Sequence, residues 1–374
     1  MSRADAVLVL NAGSSSLKYQ VLRPSAGERM LRGTIEHRHG PWSSAFDRVI
    51  AAVDQAGLAD QLTAIGHRVV HGGDLREPVL IDDRAVERLE ALSDLAPLHN
   101  PPAVEGIRHT RRRYPHLAQV AVFDTAFFAD LPDAAATYAL DRQVTEAQGI
   151  RRYGMHGISH EYVARRAAVL LGRDLTELSL ITLHLGNGSS AAALRGGRPQ
   201  DTSMGLTPLE GLVMGTRGGD LDPGILLHLL RLPGFGVDRL EDLLHHRSGL
   251  QGLAGLSDFR DLVAAMAAGD RQAARAYDVY CHRVRKYVGS YLAVLDGADV
   301  VVFTGGVGEN VPRVRADALA RLDRLGIEVD GERNAAAGGG PALISALTSR
   351  VAVVVMPTDE ELAIGLKVVD LLGH

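Results

Sequence analysis

Asn11-Ala12-Gly13-Ser14-Ser15-Ser16-Leu17-Lys18 is the stretch from which the rest of this chain is read. An apolar run, 6–10, leads into it and an alternating run, 17–22, leads out, so the small polar residues form a tight turn between two strands. Such a turn gathers backbone N–H groups and three hydroxyls at one point, with the Lys18 ammonium just beyond. Clustered donors, little side-chain bulk and one point charge suit a polyphosphate. The pattern G-x-x-x-x-G-K-[ST] does not occur, and the turn opens a strand, so this is not the common phosphate loop. The same residues fit an ordinary serine-rich hairpin equally well.

A second stretch repeats the first. The run 178–185 reads as a buried strand, Gly186-Asn187-Gly188-Ser189-Ser190 turns it, and 191–194 returns. Aligning Gly13-Ser14-Ser15 with Gly188-Ser189-Ser190 superposes strand, turn and strand half a chain apart. Two related domains, each offering a phosphate-gripping hairpin to one nucleotide, is the architecture of the actin, sugar-kinase and heat-shock ATPase superfamily.

A chain of 374 residues with 46% apolar content can build two domains with substantial cores. A net charge of −5, with no basic run beyond Arg111-Arg112-Arg113, argues against a nucleic-acid partner. The lone Cys281 excludes an intrachain disulfide and fits a reducing cytoplasm. Without an apolar run approaching 18 residues or a leader-like N-terminus, neither a membrane span nor a signal peptide is expected.

Strands are expected at 6–10, 17–22, 64–70, 119–123, 178–185, 300–303 and 351–356. Helices are expected at 44–56, 83–95, 102–114, 159–171, 222–230, 271–295, 311–325 and 360–372. The order is that of an α/β protein with helix-covered sheets. We divide it into domain I, 1–150 with the C-terminal helix 359–374, and domain II, 151–358, crossing near 149–157. The helix return rests on Pro357-Thr358-Asp359, a break and a cap. Residues 335–340 read as an exposed small-residue loop.

Several segments carry chemistry. Arg68, at a strand end within Gly66-His67-Arg68-Val69-Val70-His71, can aim its planar fork at a carboxylate or phosphate, or hold a structural ion pair. His67 and His71 flank strand-like residues, which disfavours a helical metal pair. Asp124 follows a very apolar strand and is either a helix cap or an acid reaching metal-bound water. His156 stands between Met155 and Gly157 with little cover. Arg217, in a glycine-bounded loop, is the kind of cation that phosphoryl transfer uses to neutralise developing charge. Gly305-Gly306-Val307-Gly308-Glu309-Asn310 is a strand-to-helix turn that permits close approach to a nucleotide. Asp359-Glu360-Glu361 either complements a helix dipole or supplies a Mg²⁺ carboxylate.

Together, in this order from Val7 to about Gly365, these segments resemble the acetate kinase family. The resemblance implies two ribonuclease-H-like, actin-like ATPase domains with mixed sheets, an active site in the interdomain cleft, and ATP-dependent phosphorylation of acetate. It implies Asn11 and Glu360 at Mg²⁺ (or Mn²⁺), and Ser14, Ser16 and Lys18 along the phosphate path. His184, Leu185, Gly186, Asn187 and Gly188 would hold the ATP phosphates. Asp258, Phe259 and Arg260, with Gly306, Val307, Gly308, Glu309 and Asn310, would flank the adenosine. Arg68 and Arg217 would bracket carboxylate and phosphoryl group, His156 would stabilise the transition state, and Asp124 would be the active-site acid. Val70, Leu98, Met155 and Pro208 would form the acyl pocket. A cytoplasmic homodimer is implied as well.

A small carboxylic acid is ionised at pH 7, so the nucleophile needs no general base. Asp124 therefore positions Mg²⁺-bound water or orients an Arg. In-line transfer needs no phosphoenzyme; the obstacle is bringing a carboxylate to an anionic phosphate. Three departures from the family pattern stand out: Met155 where Phe is usual, which opens the pocket toward propionate; Phe128 where His is common; and a short 23–41 region, which trims a peripheral loop. Propionate kinase is the nearest alternative and butyrate kinase a weaker one. An actin- or chaperone-like ATPase switch is the alternative of a different class.

Overall fold

The computed structural model describes residues 6–13, 16–37 and 40–373. Serines 14 and 15 lie outside them, so the Ser14 expectation has no structural counterpart here. The chain divides into two compact units. The first is Met1–Ala129, Met155–Tyr162 and Asp359–His374; the second is Asp130–Gly154 and Val163–Thr358. The chain leaves the first unit at 129/130, not near 150, and returns to it for 155–162, which carries His156.

The first unit is built on a six-stranded mixed sheet: β1 Ala6–Ala12, β2 Ser16–Arg23, β3 Glu28–Glu36, β4 Leu62–Val69, β5 Val79–Leu80 and β6 Ala118–Phe123. Its order is β3-β2-β1-β4-β6-β5. β1 is buried along its whole length, as a central strand covered on both faces must be. The β1–β2 hairpin places Asn11 opposite Lys18, and the Gly13 N–H donates to the Ser16 carbonyl (2.8 Å) to close it. The helix Glu360–Leu372 packs Ala363, Ile364, Val368 and Val369 on Val7, Val9 and Val120. It approaches β4 so closely that a Cβ on Gly66 would stand 2.8 Å from Ile364.

The second unit repeats the design with β7 Ser179–Leu185, β8 Ser189–Arg195, β9 Arg198–Thr202, β10 Val300–Thr304, β11 Ala342–Leu343 and β12 Ala352–Val355, ordered β11-β12-β10-β7-β8-β9. Read from its other edge, that order matches the first sheet strand for strand: an antiparallel hairpin and third strand on one side, two parallel strands and an antiparallel edge on the other. The long helix Arg271–Val294 lays Tyr277, Tyr280, Val284, Val288 and Tyr291 into this unit's core. Cys281 is buried there, as a packing residue.

The 23–41 region holds β3, whose alternation Arg32-Gly33-Thr34-Ile35 buries only Ile35 and leaves an edge strand rich in charge. One expectation is corrected. Part of 335–340 belongs to the helix Gly331–Ala336, capped by the Asp330 carboxylate on the Glu332 and Arg333 N–H groups.

Candidate active site

In the first unit, Arg68 lies one residue before the end of β4 and β6 runs into Asp124, neighbouring parallel strands that bring the two side chains together. Arg68 Nη2 lies 2.6 Å from Asp124 Oδ2 and Nε lies 3.2 Å from the same oxygen. Arg68 Nη1 donates to Asn11 Oδ1 (2.9 Å), and Asn11 Nδ2 donates to Glu360 Oε2 (2.9 Å) and Glu361 Oε1 (2.8 Å). Three strands and the start of the last helix thus converge on one polar cluster.

Its electrostatics are unusual. Asp124, Glu360 and Glu361 are buried close to the guanidinium of Arg68, and the Lys18 ammonium also acts on Glu361. Burial pushes the Asp124 carboxyl up, and Arg68 offsets only part of that. Burial and the neighbouring Glu360 also raise Glu361. Burial opposes the charge on Arg68, but Asp124, Glu360 and Glu361 outweigh it and hold the guanidinium protonated. Carboxylate oxygens such as those of Glu360 and Glu361 are the donor type of a hard divalent cation. Among the described residues no three His, Cys, Asp or Glu form a ready-made cage.

The expected ligand pair lies together: Asn11 Oδ1 accepts from Arg68, and its Nδ2 donates to both Glu360 and Glu361. Asp359 does cap the last helix, accepting from Leu362 N–H (3.1 Å), and it pairs with Arg29. Asp124 is no helix cap. It accepts the backbone N–H of His156, and its own carbonyl accepts from Gly157 N–H (3.1 Å). His156 sits at φ +59°, a left-handed conformation costly for a residue with a side chain, held by these two bonds. Val70 and Met155 are buried and Leu98 half-buried. His67 is buried against Gln119 (2.9 Å), its pKa lowered by burial to about 4, and is neutral packing.

In the second unit, the β7–β8 turn is closed by Gly186 N–H to the Gly188 carbonyl (3.0 Å), and His184 pairs with Ser190 and Thr304 across the sheet. Gly215 N–H donates to the Asn187 carbonyl (2.9 Å), so the Arg217 loop rests on this turn. A side chain at 215 would collide with the Asn187 amide. Arg217 is buried, donates to the Pro208 carbonyl (2.8 Å), and faces no carboxylate among the described residues. Burial alone pushes its guanidinium down to about 10.

The 305–310 segment forms the helix Gly305–Asn310. Glu309 folds back so that Oε1 accepts from Gly305 N–H (2.9 Å) and Thr358 N–H (3.2 Å), leaving Gly306 and Asn310 exposed. Of Asp258, Phe259 and Arg260, the first and last have side chains open to solvent and Phe259 does not. Asp258 caps the helix Phe259–Ala267 and pairs with Arg260 (2.6 Å), while Phe259 packs in the core against Tyr277 and Tyr280. Phe259 therefore has no face to offer a nucleoside.

Sequence reading missed two contributors. Glu361 lay inside a quoted motif but was not separated from Glu360. Arg315 is fully buried and donates to the carbonyls of Gly308 (2.9 Å) and Glu309 (2.8 Å), tying down the end of the 305–310 helix; nothing in its local pattern marks it.

Two six-stranded sheets of the same strand order, each with a hairpin between its first two strands, make this a duplicated two-unit α/β fold. The chain belongs to the acetokinase family, whose model matches residues 38–366. It is 37% identical to an acetate kinase from Porphyromonas gingivalis, covering 99% of this chain and 100% of that one at a TM-score of 0.89. It is equally 37% identical to a propionate kinase from Francisella tularensis (97% and 98%, TM-score 0.90). An acetate kinase from Entamoeba histolytica matches at 30% identity (99% and 100%, TM-score 0.88).

Proposed function

We propose that this acetokinase-family member transfers the γ-phosphoryl group of ATP to acetate, reversibly and in line, giving acetyl phosphate and ADP. The observation that carries the reading is Arg217: a buried cation without an anion is expensive, and a bound anion removes the cost. Arg68 differs, being already paired with Asp124. In this role Asp124 orients Arg68 toward the carboxylate and removes no proton, because acetate arrives ionised. His156, presented by a strained backbone, donates to charge building on the phosphoryl oxygens. Glu360 and Glu361 would hold Mg²⁺ (or Mn²⁺), which supplies charge neutralisation on the phosphates.

Lys18 and Ser16 of the first hairpin and residues 184–188 of the second take the polyphosphate in this reading, and Gly306–Asn310 the adenosine side. Val70, Leu98, Met155 and Pro208 face the acyl group. Propionate stands as the second substrate, because Met155 replaces the usual Phe. We place the enzyme in the cytoplasm as a homodimer. Among the described residues no helix is long and apolar enough to cross a membrane, and exposed Leu221, Ile225, Leu227 and Leu230, on and beside the helix Pro223–Leu230, offer a self-association face.

Arg217→Ala tests the reading. It lowers kcat by about 10²–10³-fold while ATP affinity changes little, since the lost contact forms in the transition state. Equal loss of ATP binding and turnover contradicts the role.

A further inference from the structure

Arg217 poses a problem that its own loop does not solve. A buried guanidinium bonded, among the described residues, only to the Pro208 carbonyl gains by swinging into water, so something else must keep it turned inward. The neck of the loop supplies the restraint. Gly211 and Asp220 are stitched together, with Gly211 N–H donating to Asp220 Oδ1 (2.9 Å) and Asp220 N–H to the Gly211 carbonyl (3.0 Å). Gly219, at φ +72°, lies so close to the Gly211 and Leu212 carbonyls that no side chain fits there.

The Asp220 carboxylate reaches further. It accepts from Tyr287 OH (3.0 Å) and pairs with Arg283 (3.1 Å), both on the long helix Arg271–Val294. One carboxylate thus closes the loop and bolts it to the unit's most extensively packed helix. Inside the neck, Met214 N–H donates to the Arg217 carbonyl (3.0 Å), which fixes the backbone at Arg217 itself.

We propose that Asp220 is the positioning residue that holds Arg217 inward for its anion; the assignment rests on the kinase reading above. Asp220 touches neither substrate nor nucleotide, and acts through the loop.

The test compares wild type with Asp220→Ala, Asp220→Asn and Tyr287→Phe. Asp220→Ala lowers kcat at least tenfold while the KM for ATP stays within about threefold. Asp220→Asn, which keeps an oxygen for Gly211 N–H, recovers most of that loss. Tyr287→Phe falls between them. Independently of turnover, limited trypsin digestion cuts after Arg217 at least tenfold faster in Asp220→Ala than in wild type or Asp220→Asn. The proposal is overturned if Asp220→Ala keeps wild-type kcat, if its loss tracks only the folded fraction, or if Arg217 stays as protected as in wild type. A wild-type enzyme that makes no acyl phosphate overturns the kinase reading, while the trypsin comparison still decides the restraint.

Discussion

Arg68 and Asp124 form an ion pair at 2.6 Å inside the first unit, contributed by the ends of neighbouring parallel strands. The pair is the hub of the site: Asn11 bonds to the arginine, and the His156 and Gly157 backbones bond to the aspartate. A buried pair of this kind contributes little net stability, but breaking one partner leaves an uncompensated charge.

Asp124→Ala therefore destabilises the fold by about 3–5 kcal/mol, and releases both Arg68 and the strained His156. Asp124→Asn keeps the shape and one acceptor oxygen, so it folds, yet loses the charge that aims Arg68. Its kcat falls about 10–100-fold with no new acid limb in the pH profile. A rate in Asp124→Asn that rises log-linearly with pH would point to proton removal instead.

The burial of Glu361 beside Glu360 predicts a signature in stability. In metal-free buffer Glu361→Gln melts above wild type, by about 2–4 °C for each kcal/mol of repulsion removed. Adding Mg²⁺ raises the wild-type midpoint and does so less in the variant. Differential scanning calorimetry with and without EDTA reads both effects.

His67 sets an acid limit. Its folded pKa, about 4, lies below the unfolded value of 6.5, so the unfolded chain binds the extra proton between them. The stability it contributes is complete above about pH 6.5 and is lost as pH falls toward 4, by up to about 3 kcal/mol. Urea unfolding at pH 7 and 4.5 shows this loss shrinking in His67→Gln.

Gly157 allows the close approach that presents His156, because a Cβ there would overlap the Asp124 carbonyl. Gly157→Ala displaces the histidine backbone and lowers kcat more than tenfold, with ATP binding by calorimetry within about threefold.

Much of the architecture was legible because period and punctuation were strong. The helix 360–372 agrees to the residue, since Pro357 and Asp359 mark its start and its apolar face repeats on the sheet. β3 was not legible: an edge strand with charges at 28, 29, 32 and 36 carries no buried alternation. At the site, residue types were legible and partners were not. Whether Arg68 sat in an ion pair, whether Asn11 offered oxygen or nitrogen, and whether Phe259 faced a ligand or the core are all set by strands and helices far apart in sequence. The left-handed backbone at His156 leaves no mark in composition.

The central claim is phosphoryl transfer to a small carboxylate, and hydroxylamine trapping tests it most directly. The enzyme is supplied with ATP, Mg²⁺ and formate, acetate, propionate or butyrate in turn. The account predicts hydroxamate from acetate above the other three, with propionate next; propionate in first place would move the preference and implicate Met155. No hydroxamate from any acid, from protein that binds ATP, would contradict the carboxylate-kinase account.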